Sequence, residues 1–191
     1  MHHYKFIEPY YSQKLNNSEL TEAQDYISKL SDSDYELNEF DHYDSHEDKY
    51  YEKYRLCKIH YPKQDSILSR LAINQFYQTN RKYWKYDLSD DFEFQLIKYD
   101  IGGHYHWHCD YGLTLKKGID RKLSITIQLT EPSEYDGGML QLIDYSNRNI
   151  LVPGHLGTVI VFDSKLPHKV LPVTRGKRIS LVGWASGPRL K

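Results

Sequence analysis

The chain has 191 residues, 39% of them hydrophobic, and a formal net charge of −1. This length suggests one domain, residues 1–191, with a sizeable buried core, and the balanced charge speaks against intrinsic disorder and general nucleic-acid affinity. No apolar run approaches the roughly 20 residues of a membrane span, and 18 tyrosines and 6 phenylalanines favour a strand-rich fold.

The two cysteines bear on the cellular compartment. Cys57 and Cys109 could form at most one bridge, which is too few for a disulfide scaffold. Disulfide-rich frameworks belong to oxidising compartments, and nothing in this sequence resembles one. We therefore expect a protein of the reducing cytoplasm that has no association with membranes.

A first helix is predicted over residues 18–30. Apolar side chains recur there at the i, i+3, i+4, i+7 spacing of a buried helix face: Ala23, Tyr26, Ile27 and Leu30. The start of this helix is open between two positions. Thr21 and Gln24 have the spacing of a capping box, whereas Ser18 would start the helix one turn earlier.

A short strand and a second helix are predicted next. The stretch RLCKIHYP, residues 55–62, has strand-type composition and stops at Pro62. Asp65 or Ser66 could then cap a helix. One face of that helix would carry the apolar side chains of Ile67, Leu68, Leu71, Ala72 and Phe76. Residues 1–90 would thus form a helical and mixed support.

From residue 91 onward the sequence consists of short strand-type runs separated by glycine- and proline-containing turns. Eight such runs occur, at residues 92–99, 104–110, 122–129, 139–143, 149–152, 157–162, 168–173 and 178–184. Eight runs after two helices imply a mainly β fold with supporting helices, in which antiparallel strands form a barrel or sandwich over residues 91–188.

Potential metal ligands occur at alternate positions in YDIGGHYHWHCDYG, residues 99–112: His104, His106, His108 and Asp110. Alternate side chains of a strand point to one face, so His108 and Asp110 would converge while Cys109 faces away. A third ligand must come from elsewhere, and His168 opens a later run. Two histidines and a carboxylate leave the opposite side of an iron open, as oxygen-activating Fe(II) sites require.

Two alternatives to this ligand set stay open on spacing alone. A lone His-x-Asp pair often occurs by chance, and the chain holds ten histidines. His106 also shares a face with His108, which is the His-x-His pairing of cupins. We favour His108 with Asp110, because the cupin pairing leaves Asp110 and Arg178 without roles. His106 is then expected to be a pocket residue beside the metal.

Arg178 opens the run RISLVGW, and Ser180 shares its face. A planar guanidinium with a hydroxyl two residues further on suits a carboxylate. A dicarboxylate that reached from Arg178 to the iron would be 2-oxoglutarate, which chelates metal through its keto acid end. A lone arginine more often forms a surface salt bridge, but this combination favours binding of a co-substrate.

Four segments together resemble the Fe(II)- and 2-oxoglutarate-dependent oxygenases of the prolyl 4-hydroxylase type: YDIGGHYHWHCD, RKLSITIQLT, EYDGGMLQL and LPHKVLPVTRGKRISLVGW. The resemblance covers roughly residues 92–188. It implies a double-stranded β-helix (jelly-roll) core. It also implies a dioxygenase that uses Fe(II), 2-oxoglutarate and O2, with ascorbate in support.

The same resemblance implies roles for individual residues. The iron ligands would be His108, Asp110 and His168. Arg178 matches the basic residue that holds the distal carboxylate of 2-oxoglutarate, with Ser180 beside it, and Tyr99 matches an aromatic position of the co-substrate pocket. Gln128 departs from the pattern, because some peptidyl prolyl hydroxylases carry a tyrosine there. The nucleic-acid demethylase branch is disfavoured, because Trp184 stands where that branch has a second arginine.

The expected reaction is hydroxylation of prolyl residues in a peptide or protein. One alternative is a hydroxylase of a free amino acid or another small molecule. Another is a jelly-roll module that keeps the metal but has no turnover. That module could tolerate loss of a ligand or of Arg178, whereas all four of these positions are intact.

Two charged segments border these elements. Residues 31–49 hold eight acidic side chains against one lysine, and a solvated loop is favoured over a docking surface for a basic partner. Residues 111–122 are basic through Lys116, Lys117, Arg121 and Lys122. Because they follow the ligand strand, they are expected to form either a mobile lid over the site or a solvated loop.

Overall fold

A computed structural model describes residues 9–44, 49–112 and 118–189. Its helices are α1 (Asn17–Ser28) and α2 (Ile67–Thr79), the latter continued by a π-turn at Asn80–Trp84. In the described ranges no helix combines the length and apolarity needed to cross a membrane. The strands are β1 (Tyr10–Lys14), β2 (Glu36–Asp44), β3 (Lys49–His60), β4 (Phe92–Tyr99), β5 (His104–His108), β6 (Ile119–Gln128), β7 (Tyr135–Gly137), β8 (Leu140–Ile143), β9 (Asn149–Leu151), β10 (Thr158–Asp163), β11 (His168–Val170), β12 (Val173–Gly176) and β13 (Arg178–Pro188).

Most strands form one antiparallel sheet in the order β1-β10-β6-β13-β4-β3-β5-β11-β8-β9, with β2 paired to β3. The sheet curls on itself. Leu142 of β8 shares a buried cluster with Ile160 and Phe162 of β10, although these strands lie far apart in the sheet order. The mainly β jelly-roll core predicted from the sequence is therefore confirmed.

The predicted helices exist, but the start predicted for α1 is wrong. Asn16 caps α1: its side chain accepts a hydrogen bond from the Glu19 N–H (3.0 Å), and the Glu19 carboxylate accepts one from the Asn16 N–H (2.8 Å). This reciprocal box satisfies two backbone donors at once, which neither Thr21 nor Ser18 achieves. The second helix starts as predicted, with Ser66 accepting from the Ser69 N–H (3.2 Å).

The acidic segment 31–49 is not a loop as predicted, because residues 36–44 form β2. This strand pairs with β3, which places Phe40 opposite Arg55. β3 accordingly begins at Lys49, earlier than the predicted position 55. β2 is held by backbone hydrogen bonds to β3. Because these bonds depend on the partner strand and not on the side chains of β2, the acidic composition of the segment did not indicate a strand.

The eight predicted runs understate the number of strands. The predicted run at 168–173 is divided into β11 and β12, because Pro172 lies between them and lacks the N–H that a ladder requires. The short strands β1 and β7 were not predicted. Their sequences are brief, and each depends on a partner distant in the chain, β10 for β1 and β12 for β7.

The two helices cover one face of the sheet. Ala23 of α1 and Phe76 of α2 belong to the same buried cluster as Leu96 of β4 and Leu181 of β13. The opposite face of the same strands is turned into the curl. A single domain over residues 1–191 stays a prediction, and this shared core supports it.

Gly183 gives a test of this packing. A Cβ at this position would lie 2.5 Å from Phe94 Cδ1 and 2.9 Å from the Glu93 carbonyl oxygen. We expect Gly183→Ala to lower the free energy of unfolding by about 1–3 kcal/mol through overpacking, measured by urea denaturation. Gly154→Ala is the control, because its Cβ would approach the Tyr135 hydroxyl only to 3.4 Å. Equal losses in the two variants would contradict the prediction.

Candidate metal centre

The predicted metal ligands are brought together by the pairing of β5 with β11. His168 lies directly opposite His108 in the register of these strands. Asp110 lies just beyond the end of β5, where its backbone N–H donates to the Ser164 carbonyl oxygen (3.0 Å). Two neighbouring strands and one turn therefore place the three side chains at one point.

The three side chains offer one ligand atom each, all within 4.8 Å of one another. His108 Nε2 lies 3.7 Å from Asp110 Oδ1, and His168 Nε2 lies 3.3 Å from Asp110 Oδ2. Asp110 and His168 are only 4% and 6% exposed. Two imidazole nitrogens and one carboxylate on one side of a cation suit a divalent transition metal such as Fe(II).

Hydrogen bonds fix the orientation of both imidazoles. His108 Nδ1 lies 2.7 Å from the His106 carbonyl oxygen, and His168 Nδ1 lies 2.9 Å from that of Leu166. A carbonyl can only accept, so each Nδ1 carries the proton and each Nε2 presents its lone pair to the centre. The Ser124 hydroxyl donates to Asp110 Oδ2 (2.7 Å) and holds the carboxylate in place.

The electrostatics of the site favour a cation. Burial, aided by His168, lowers the pKa of His108 to about 3. Burial alone would raise the pKa of Asp110, but His168, His108 and the Ser124 hydroxyl together hold it below its usual value. Burial opposes protonation of His168, yet the Asp110 carboxylate raises the pKa of this imidazole. Metal ligation needs a charged carboxylate and neutral imidazoles, and the lowered pKa values of Asp110 and His108 favour those forms at two of the three ligands.

The three ligands line a cavity inside the curl of the sheet. Arg178 of β13 lines it too, lies opposite Tyr99 of β4 in register, and is 5% exposed. Within the described ranges, no carboxylate pairs with the Arg178 guanidinium. The Ser180 hydroxyl, which also lines the cavity, is buried without a hydrogen-bond partner. A bound carboxylate would satisfy both groups.

Other histidines of the ligand segment lie outside the cavity. His106 stacks on Tyr54, with ring centroids 5.6 Å apart. His104 bonds to two backbone carbonyls, through Nδ1 to Gly102 (2.8 Å) and through Nε2 to Lys53 (2.6 Å). The group that could hold a metal contains neither of them. The cupin pairing of His106 with His108 is thus not the arrangement that forms.

The remaining predicted positions divide between the cavity and other places. Trp184 and Val182 line the cavity. Gln128 lines an adjoining pocket that also reaches Arg178, and its amide donates to the Tyr135 hydroxyl (3.0 Å). Residues 113–117 of the predicted lid, which include Lys116 and Lys117, lie outside the described residues. The last two basic residues of the predicted lid, Arg121 and Lys122, belong to strand β6.

Sequence reasoning missed two polar residues of the site, Ser124 and Arg55. Ser124 supports Asp110, and its only signal was a small polar residue between the apolar Leu123 and Ile125 of β6. Arg55 lines the cavity from β3, where a single arginine in a strand gave no signal. Each becomes recognisable only when the sheet order is known.

Comparison with known families agrees with this geometry. Residues 94–186, which include the three metal ligands and Arg178 but not Arg55, match the model of the 2OG-Fe(II) oxygenase superfamily. Residues 94–186 are thus similar to a 2OG-Fe(II) oxygenase domain. Proteins of this family use Fe(II) and 2-oxoglutarate, and the donor set and Arg178, with which no carboxylate of the described residues pairs, fit both groups.

Relatives of the oxygenase domain include PKHD-type hydroxylases. The chain is 36% identical over 87 residues to one from Gloeothece citriformis, which covers 46% of this chain and 39% of the relative. It is 33% identical over 123 residues to one from Bordetella pertussis, which covers 62% and 51%. The chain thus spans two fifths to one half of the length of these relatives.

Solved structures share the fold of nearly the whole chain. A prolyl-4-hydroxylase from Pseudomonas putida superposes with a TM-score of 0.68 at 24% identity, over 96% of this chain and 94% of that one. A prolyl hydroxylase from Trichoplax adhaerens, in complex with a peptide fragment of the hypoxia inducible factor oxygen degradation domain, superposes with a TM-score of 0.71 at 18% identity, over 93% and 83%.

The support that Ser124 gives to Asp110 can be tested by metal binding. We expect Ser124→Ala to weaken Mn(II) affinity about 10–100-fold, the usual cost of losing a hydrogen bond to a ligand, in a calorimetric titration of the oxygenase. Ser186→Ala is the control, because Ser186 is equally buried but its hydroxyl has no hydrogen-bond partner. If both variants bind Mn(II) like the wild type, Ser124 does not support the site.

Proposed function

We propose that the chain is a non-heme Fe(II)- and 2-oxoglutarate-dependent dioxygenase that hydroxylates prolyl residues in a peptide or protein. The observation that carries this proposal is the placement, in one cavity, of a two-histidine, one-carboxylate ligand set and of a buried arginine with which no described carboxylate pairs. When bound, the iron would supply the oxygen chemistry. Its ligands would be His108, Asp110 and His168.

The co-substrate would be held by three residues of two adjacent strands. Arg178 supplies a permanent charge and a planar fork that matches a carboxylate. Ser180 adds a hydroxyl whose hydrogen-bonding capacity is otherwise unused. Burial raises the pKa of Tyr99, so its hydroxyl keeps its proton at neutral pH and remains a donor. All three side chains would act by binding and orienting the 2-oxoglutarate.

The cavity walls would exclude water from the metal. Apolar side chains from four strands surround the ligands: Ile97, Leu140, Phe162 and Val170. An enclosed, poorly hydrated space strengthens the charge interactions that orient the co-substrate and protects reactive species from side reactions. The space between the three ligands and Arg178 would be left for the co-substrate and O2.

The substrate class is inferred from the relatives. The PKHD-type hydroxylases and the prolyl hydroxylase structures, one of them with a bound peptide fragment, favour a prolyl peptide or protein over other hydroxylation substrates. We include ascorbate as the supporting reductant for the iron. We also propose that the protein acts in the reducing cytoplasm, and the free thiols of Cys57 and Cys109 support this location.

An oxygenase assay tests the function. Protein with Fe(II), ascorbate and 2-oxoglutarate in air is expected to form succinate, followed by NMR, and to form it faster with a pool of proline-rich peptides. His168→Ala should abolish succinate formation, because the iron loses a ligand. Arg178→Ala should raise the KM for 2-oxoglutarate roughly 30-fold or more, the equivalent of a lost buried charge pair.

Arg175→Ala is the matched control. Arg175 lies on the exposed strand β12 and pairs with Asp136 of β7, so its substitution should leave the rate unchanged. If the peptides do not change the rate of succinate formation but His168→Ala abolishes it, the protein is an oxygenase whose substrate is not a prolyl peptide. A protein that binds metal and forms no succinate under any condition would contradict the proposal in favour of a non-catalytic metal-binding module.

A further inference from the structure

A second buried arginine, Arg55, lines the same cavity as Arg178. It lies on β3 opposite Tyr105 of β5 and is 8% exposed. Its guanidinium carbon is 4.7 Å from the centroid of the Tyr105 ring. That ring in turn stacks on the imidazole of His108, with centroids 3.5 Å apart. Arg55 is therefore linked to a metal ligand through a single aromatic ring.

The hydrogen-bonding capacity of Arg55 is only partly used. Its Nη2 donates to Gln95 Oε1 (3.0 Å), but its Nε–H is buried and has no acceptor. In the part of the chain that the structure describes, no carboxylate pairs with Arg55. Arg121, on β6, is also buried and differs in this respect, because it pairs with Glu93 (2.5 Å). Burial of an arginine without an anion is costly, so a folded protein that keeps one has a use for it.

The charges around the cavity point to the missing partner. Among the described residues that line it, Asp110 is the one acid, against Arg55 and Arg178. Fe(II) would add two positive charges, and the two carboxylates of 2-oxoglutarate would remove two. One positive charge remains in a poorly hydrated space. Since Arg178 is assigned to the co-substrate, the guanidinium left without an anion is that of Arg55.

We propose that Arg55 binds a carboxylate of the substrate, so that the oxygenase selects substrates with an anionic group close to the carbon that is hydroxylated. This inference rests on the proposed function, because it takes Arg178 as the site of 2-oxoglutarate. A carboxylate complements the planar guanidinium, accepts from the unused Nε–H and balances the remaining charge. It would belong either to a free acid or chain end, or to an acidic side chain next to the proline.

Matched acid and amide probes test the proposal on the full chain. N-acetyl-L-proline is compared with N-acetyl-L-prolinamide for a free carboxylate. N-acetyl-L-prolyl-L-glutamate amide is compared with its glutamine counterpart for an acidic side chain. Binding is measured by calorimetry with Mn(II) and 2-oxoglutarate present. In at least one pair the acid should bind wild-type protein about tenfold or more tightly than the amide, as expected for a charge-assisted hydrogen bond.

Arg55→Gln should bring that acid-to-amide ratio close to one without changing the affinity for 2-oxoglutarate. Arg55→Lys keeps the charge but not the planar fork, so an intermediate ratio is expected. Arg175→Gln, which changes an arginine outside the cavity, should keep the wild-type ratio.

Thermal unfolding provides a separate readout. The preferred acid should raise the Tm of the wild type and not that of Arg55→Gln. If Arg55→Gln does not fold, Arg55→Lys decides the test.

Three outcomes would overturn the proposal. The first is a wild type that does not prefer the acid in either pair, whether or not the probes bind. The second is an acid preference that survives in Arg55→Gln, or in Arg55→Lys at full strength where only that variant folds. The third is a loss of 2-oxoglutarate affinity in the Arg55 variants, which would assign the guanidinium to the co-substrate. In each case, succinate formation that depends on His168 would still uphold the oxygenase itself.

Discussion

The pairing of β5 with β11 is the constraint on which the site depends. It sets His168 opposite His108, and a shift of the register by one residue would turn one imidazole to the other face of the sheet. Both imidazoles are then oriented in the same way, each by the backbone carbonyl two residues earlier in the chain. The ladder thus fixes not only where the nitrogens are but also which of them is free to bind a metal.

Charge is the second organising feature of the cavity. One carboxylate and two guanidinium groups are buried within it, and among the described residues no carboxylate pairs with either guanidinium. Such an arrangement is unfavourable for an empty fold, because uncompensated buried charge lowers stability. It becomes favourable when anionic molecules enter. The same residues that weaken the empty protein therefore give it selectivity for what it binds.

The sequence predicted the side chains that cluster as candidate ligands, the arginine that lines their cavity and the β core, because each has a local pattern: His-x-Asp, an arginine two residues before a serine, and runs of alternating composition. It missed what depends on pairing between distant segments. The strand β2 was predicted as a loop because its charges look like a solvated surface, and its partner β3 supplies the order. Arg55 and Ser124 are ordinary residues of their strands, and only the curl of the sheet turns them towards the metal ligands.

The division of the ligands between β5 and β11 also has a consequence for how the protein matures. A chain in which β5 has formed without β11 offers only His108 and Asp110, a pair too small to retain a metal ion. Metal capture then waits until the long-range strand pairs are in place, and the binding free energy goes to the folded chain alone. If the ion is the proposed iron, it would in this way be kept from nascent and misfolded copies, in which its reactivity would damage the chain.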